Sequence, residues 1–237
     1  MKTENNVTNY YKTIPKKYLK SNYENPLFKQ NNIDNIVSRF LIIGPSGSGK
    51  TNNLLEFIKR TSGSYYHIYM CCKNPHQPLY EWLKDEMGDG ITITDNIDEL
   101  PECSEMEPKG KAKLVIFDDM LTESEKTLKK VAHYFIRGRH DHCAVMFLSQ
   151  SFYQTPILIR RNCNYIIIKK LGSVKDSVEI LKSYSLQDID KKTLLKMYKY
   201  CITSTNNTPD FMMLDLDHPD KMFRKNFLEI LNSQDFI

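Results

Sequence analysis

No stretch of this 237-residue chain approaches the run of about 20 apolar residues that a membrane-spanning helix needs. The opening segment, Met1 to Tyr11, is polar and lacks the apolar centre of a secretory signal. Together these absences predict a soluble, intracellular protein. No cysteine pair has C-x-x-C spacing. Of the six cysteines, Cys71, Cys143 and Cys163 lie in or beside apolar strand-like runs, and Cys72, Cys103 and Cys201 complete the set. The pattern predicts buried, reduced thiols rather than disulfides. His140-Asp141-His142-Cys143 has the residue types of half a metal site, but no second half stands elsewhere, so zinc is not expected. No internal repeat is present. Charge is nearly balanced: 33 Lys and Arg against 29 Asp and Glu leave a net charge of +4. That is compatible with a nucleic-acid partner without pointing to one. What the chain does have is 41% hydrophobic residues and a length that suits one α/β domain able to bury a core.

The most informative stretch is Gly44-Pro45-Ser46-Gly47-Ser48-Gly49-Lys50-Thr51, which matches G-x-x-x-x-G-K-[ST] at every fixed position. Phe40 to Ile43 before it reads as a buried strand. Asn52 to Arg60 after it reads as a helix, with Leu54, Leu55 and Ile58 at helical spacing and a basic last turn. Strand, glycine loop and helix are the context in which the motif has a mechanism. Glycines permit positive φ and leave no Cβ between the amide N–H groups and an anion. Successive N–H groups form a concave nest, to which the helix adds its positive end. Lys50 supplies a point charge to the β- and γ-phosphates, and the Thr51 hydroxyl can ligate Mg²⁺. The ligand expected is a nucleoside triphosphate with its metal.

Alternation along the rest of the chain predicts an α/β fold with a parallel sheet covered on both faces. Residues 1–32 read as an N-terminal arm and 33–237 as the P-loop domain. Strands are expected at Tyr65–Cys71, Ile91–Ile93, Leu114–Phe117, Ala144–Leu148, Tyr165–Ile168 and Phe211–Leu214. Helices are expected at Leu79–Met87, Glu123–Ile136, Pro156–Arg161, Val174–Tyr184, Leu186–Tyr200 and Lys221–Leu231, and a loop over 101–113.

A triphosphate site needs a second, acidic element, and Leu114 to Asp119 supplies it as four apolar residues followed by two carboxylates. In doubly wound sheets ligands lie beyond the carboxyl ends of the strands. Asp118 would then hold Mg²⁺ through its water shell and Asp119 would polarise the attacking water; the pair could instead simply cap the following helix. Gln150 ends the next strand, where a neutral amide can hydrogen-bond the γ-phosphate or water, or be no more than a polar strand end. Arg137 and Arg139 lie between the two strands. Either can complement charge on a transferring phosphoryl group, including from a neighbouring subunit, or satisfy a helix C-terminus.

Taken in order, the glycine loop, the strand ending in two acids, Arg137-Gly138-Arg139-His140, the strand ending in Ser149-Gln150, and Ile159-Arg160-Arg161-Asn162 resemble the FtsK–HerA superfamily of DNA-pumping ATPases. The likeness is to its viral branch, the genome-packaging ATPases of nucleocytoplasmic large DNA viruses and of virophages, and covers roughly residues 36 to 170. It implies a RecA-like, additional-strand P-loop fold with an extra strand between the strands of the two motifs, and 171–237 as a C-terminal helical and strand extension that matches nothing specific. It further implies ATP as fuel, double-stranded DNA as the object moved, and a homo-oligomeric ring, usually of six. Capsid proteins would be further partners, and the host cytoplasm or a viral factory the place of action. Carried over by residue, Lys50 and Thr51 serve phosphate and metal, Asp118 and Asp119 form the second motif, Gln150 is the sensor and Arg139 the finger reaching a neighbour's site, with Arg160 a second finger candidate. One departure is that many members have Glu where Asp119 stands, a methylene longer.

Candidate DNA contacts are Lys109, Lys111 and Lys113, in a glycine-containing loop that could track phosphates without reading sequence, or be merely a solvated basic loop. Lys16, Lys17 and Lys20 are a comparable set. Two other activities compete: a small P-loop kinase acting on a nucleoside or similar acceptor, and a nucleotide-dependent switch or scaffold. The acid pair followed by a strand ending in glutamine favours water activation over the kinase. The chain lacks the N-K-x-D guanine motif of a GTPase switch and the L-S-G-G-Q of a transporter-type ATPase.

Overall fold

The computed structural model describes residue 15 and residues 26–184, 189–203 and 209–237. Lys16, Lys17 and Lys20, and most of the expected arm, lie outside the described residues. A nine-stranded sheet runs through the molecule in the order β3-β2-β4-β5-β1-β6-β7-β8-β9. The strands are β1 (Arg39–Ile43), β2 (His67–Cys72), β3 (Ile91–Thr94), β4 (Lys113–Asp118), β5 (Cys143–Ser149), β6 (Tyr165–Ile168), β7 (Met212–Asp215), β8 (Phe223–Lys225) and β9 (Glu229–Ile230). The first six are parallel. The helices are α1 (Pro26–Gln30), α2 (Lys50–Arg60), α3 (Pro78–Met87), α4 (Glu125–Arg137), α5 (Ile157–Asn162), α6 (Val174–Tyr184) and α7 (Lys191–Ile202).

Every residue of β4 and β5 is buried, as the unbroken apolar runs require of central parallel strands. Side chains alternate across the pleat, so two cores form. Leu41, Val115, Phe117, Val145 and Phe147 face one way and meet Val131 and Phe135 of α4, Ile159 of α5, and α6 and α7. Phe40, Ile42, Leu114, Ile116 and Met146 face the other way and meet Leu54 and Phe57 of α2, Tyr80 and Leu83 of α3, and Phe28 of α1. Residues 26–32, assigned to the arm, therefore include part of this second core. The helices sit on both faces, as expected. All six cysteines are buried and free, and burial pushes the Cys71 and Cys72 thiols up to about 11 and about 12.

β5 lies between β1 and β4, which is the extra strand between the two motif strands. The sheet departs from the all-parallel expectation beyond β6, where β7, β8 and β9 run antiparallel. The helix expected over Lys221–Leu231 is instead the β8–β9 hairpin. Phe223, Phe227 and Leu231 recur at helical spacing and are all buried, but the chain turns at Asn226 with φ of 54°. Phe211 donates its N–H to the Asn226 side chain, and Asn226 donates its own N–H back to the Phe211 carbonyl at 3.0 Å. Strand pairing with β7 satisfies backbone groups that local spacing would have given to a helix. The buried Arg224 side chain pairs with Asp215 of β7 and bonds the Asn32 carbonyl, which ties the hairpin to the sheet.

Candidate active site

Strand register brings the three sequence elements to one edge. Asp118 aligns with Leu148 of β5, and Leu148 aligns with Ile42 of β1. One or two residues further on, each strand ends at Asp118-Asp119, Gln150 and Gly44. The Gly44 N–H donates to the Ser149 carbonyl at 3.0 Å, stitching the loop to the middle strand. A cleft of about 490 Å³ opens there, lined by residues of the glycine loop and by Asp118, Asp119 and Gln150.

The loop has the geometry of an anion nest. Gly47 and Gly49 have φ of 73° and 84°, in the left-handed region that glycine alone adopts freely. A Cβ on Gly49 would also stand 2.6 Å from Pro209. Gly49 caps α2 without any side-chain bond, so the first N–H groups of the helix remain available to an anion. The Lys50 ammonium donates to the Gly44 and Pro45 carbonyls at 2.8 and 3.1 Å, folded over the loop. Burial lowers its pKa, while Asp118 and Asp119 hold it up. Underneath, Lys169 at the end of β6 is buried. It donates to Asn53 of α2 at 3.3 Å and to the Pro209 and Asp210 carbonyls, and burial lowers its pKa to about 8.

Asp118 and Asp119 differ in environment. Asp118 is buried; burial raises its pKa, opposed by a hydrogen bond from Tyr80 and by Lys50. Asp119 is exposed and has φ of 57°. Strand alternation would send consecutive side chains to opposite faces; the left-handed backbone at Asp119 breaks the alternation, and both carboxylates line the cleft. Aspartate is among the residues that tolerate this conformation best. That is a physical reason for Asp at this position. Gln150 donates to Asp119 at 2.7 Å.

Thr51 and Asp118 supply one hydroxyl and one carboxylate, the hard oxygen donors that suit Mg²⁺ held chiefly by phosphate and water. Among the described residues no group of three or more His, Cys, Asp or Glu is placed to hold a metal, and no helix is long and apolar enough to cross a membrane.

The remaining predicted residues lie elsewhere. Arg139 is in the turn before β5, at the amino end of the sheet, near Arg39, whose pKa is lowered by burial first and also by the Arg139 charge. A strand length of about 17–23 Å separates that edge from the cleft, so Arg139 does not enter the site of its own chain. Arg160 donates to the Thr155 carbonyl at 2.9 Å and stacks over Phe152, so it is held within its own fold. Lys113 is corrected as a DNA contact: it is 1% exposed in β4, and its ammonium donates to the Met106 and Pro108 carbonyls. Its neighbours Lys109 and Lys111 are exposed. Residues absent from the sequence reading also line the cleft. These include Lys73, ion-paired to Glu123, and Gln77. Tyr80, beneath it, donates to Asp118 at 2.7 Å. None sits in a motif; the pairing of β2 with β4 brings in Lys73, and the placement of α3 brings in Gln77 and Tyr80.

The family model described as Poxvirus A32 protein matches residues 88–215, more than half of the chain. The chain belongs to the Poxvirus A32 protein family. One relative is the DNA packaging protein OPG160 of vaccinia virus (strain Copenhagen), 24% identical over 196 residues, covering 78% of this chain and 72% of the relative. Among solved structures, the genome packaging NTPase B204 of Sulfolobus turreted icosahedral virus 2, in complex with AMP, superimposes with TM-score 0.56 at 14% identity. That match covers 83% of this chain and all of B204. The cytoplasmic domain of EssC gives TM-score 0.51 at 13% identity, over 65% of this chain and 35% of EssC. At these identities the structures speak for the fold, and they place this family member in the same mostly parallel α/β architecture.

Proposed function

We propose that this chain is an ATPase that drives double-stranded DNA into a viral capsid. The observation that carries it is the Asp119–Gln150 pair, at the ends of adjacent strands and facing the glycine loop. A carboxylate and an amide on that side of a triphosphate can orient and deprotonate water, which a kinase acting on a bulky acceptor does not require. The vaccinia relative is named a DNA packaging protein, and B204 a genome packaging NTPase solved also with ATP-gammaS. Both names support the same activity here.

In this mechanism the loop amides and Lys50 bind the β- and γ-phosphates. Thr51 and Asp118 would hold Mg²⁺, which when bound neutralises charge on the phosphate oxygens. Asp119 takes the proton of the attacking water, and Gln150 orients that water. The amino-edge position of Arg139 supports a role in trans, at the site of the next subunit in a homo-oligomeric ring, proposed as a hexamer. Lys109 and Lys111 are proposed DNA contacts, capsid proteins further partners, and the host cytoplasm or viral factory the place of action. The arm over 1–32 and the P-loop domain over 33–237 remain the proposed division.

The test is ATP hydrolysis by the full chain with and without duplex DNA, alongside solution mass. Stimulation by DNA in an oligomer is expected. A monomer whose turnover ignores DNA and phosphorylates a small acceptor would overturn the proposal.

A further inference from the structure

Tyr80 is fully buried in α3, yet its hydroxyl reaches the cleft floor and donates to Asp118 Oδ2 at 2.7 Å. The Thr51 side chain approaches the same phenolic oxygen. Tyr80 thus stands between the two side chains assigned to the metal, one on β4 and the other on α2. A buried phenol needs a partner for its O–H, and a buried carboxylate needs a donor; each supplies the other. α3 is anchored so that this contact persists: the Tyr80 ring is part of the core between the sheet, α2 and α3. Its N–H donates to the Gln77 carbonyl at 2.9 Å, and Gln77 itself lines the cleft.

We propose that Tyr80 is a positioning residue for the metal site, fixing the Asp118 carboxylate so that the oxygen not bonded to Tyr80 faces metal-bound water. A carboxylate free to rotate would present either oxygen and would have to be ordered when the metal arrives. The phenol does that ordering in advance, and it does so from a helix whose amino end lines the cleft. Groups that orient metal-binding side chains change metal affinity by about 10–100-fold when removed. The inference rests on the assignment of Thr51 and Asp118 to Mg²⁺.

The test compares the full chain with Tyr80→Phe, which keeps the ring and removes only the hydroxyl. Binding of a fluorescent ATP analogue is measured without metal and across a Mg²⁺ titration. The Mg²⁺ concentration for half-maximal tightening is expected to rise about tenfold in Tyr80→Phe, with metal-free binding unchanged. Trp82, two residues along α3 and the only tryptophan in the chain, reports whether the helix still packs; its emission is expected to stay as in the wild type. Equal weakening with and without Mg²⁺, or altered Trp82 emission with a lowered melting temperature, would reduce Tyr80 to a structural role and overturn the proposal. An unchanged Mg²⁺ midpoint beside a Mg²⁺-responsive wild type would overturn this inference alone. A wild type that ignores Mg²⁺ would overturn the metal assignment beneath it.

Discussion

The Gln150 amide donates to the Asp119 carboxylate at 2.7 Å, across the ends of two adjacent parallel strands. Both side chains are exposed, so the bond contributes on the order of 1 kcal/mol and is readily exchanged for water or a phosphate oxygen. Asp119 is thereby held toward the cleft without being committed to one partner.

If Asp119 is the base, Asp119→Asn should lower ATP turnover by about 10²–10⁴-fold while leaving nucleotide affinity nearly intact. Steady-state hydrolysis and equilibrium binding, measured on the same preparation, separate the two effects. Turnover above a tenth of wild type would remove Asp119 from that role.

Arg139 sits at the opposite edge of the sheet from Lys50. Arg139→Ala and Lys50→Ala chains should each fail to hydrolyse ATP alone, but mixed oligomers should recover activity, because each contributes what the other lacks. A mixture as inactive as either parent would sink the trans assignment.

Lys169 is buried with its pKa lowered to about 8 from the ordinary 10.5. A depressed folded-state value means the unfolded chain binds more protons between those limits. The contribution of this group is therefore present above pH 10.5 and is lost as pH falls through about 8. Denaturation midpoints of wild type against Lys169→Met, taken from pH 7 to 10, should show wild type gaining on the variant as pH rises, at up to about 1.4 kcal/mol per unit. A constant difference would mean that Lys169 titrates alike in both states.

The Arg224–Asp215 pair is almost wholly buried, at 1% and 0% side-chain exposure. Arg224→Ala would remove the buried cation beside Asp215, leaving the half-buried His218 ring and the Asp217 and His218 amide N–H groups as its partners, and should destabilise the fold by about 3–5 kcal/mol. Urea unfolding followed by circular dichroism measures this. A loss under about 1 kcal/mol would show that the hairpin contributes little to the sheet.

Much of this molecule was legible from its sequence. Phe40–Ile43, Leu114–Phe117 and Ala144–Leu148 are apolar throughout and too short for helices, which fits strands covered on both faces. Fixed glycines before Lys50 could be read because the left-handed conformation admits few other residues. The hairpin over 223–230 was not legible, because Phe223, Phe227 and Leu231 satisfy a helical period equally well. The burial of Lys113 was not legible either, because a lysine beside a glycine loop has the same local sequence whether its ammonium reaches solvent or the Met106 carbonyl.

The sequence by itself determined the phosphate loop, the acid pair and the order of strands and helices as far as β7, since these depend on residue type and on neighbours a few positions away. Tertiary structure alone decided that β5 is inserted between β1 and β4, so that Gln150 meets Asp119. It also decided that Tyr80 reaches Asp118 across 38 positions, and that Arg139 faces away from its own site. Those relationships depend on which strands pair and which faces pack. Hydrophobic burial selects that arrangement over the whole chain, and no local spacing records it.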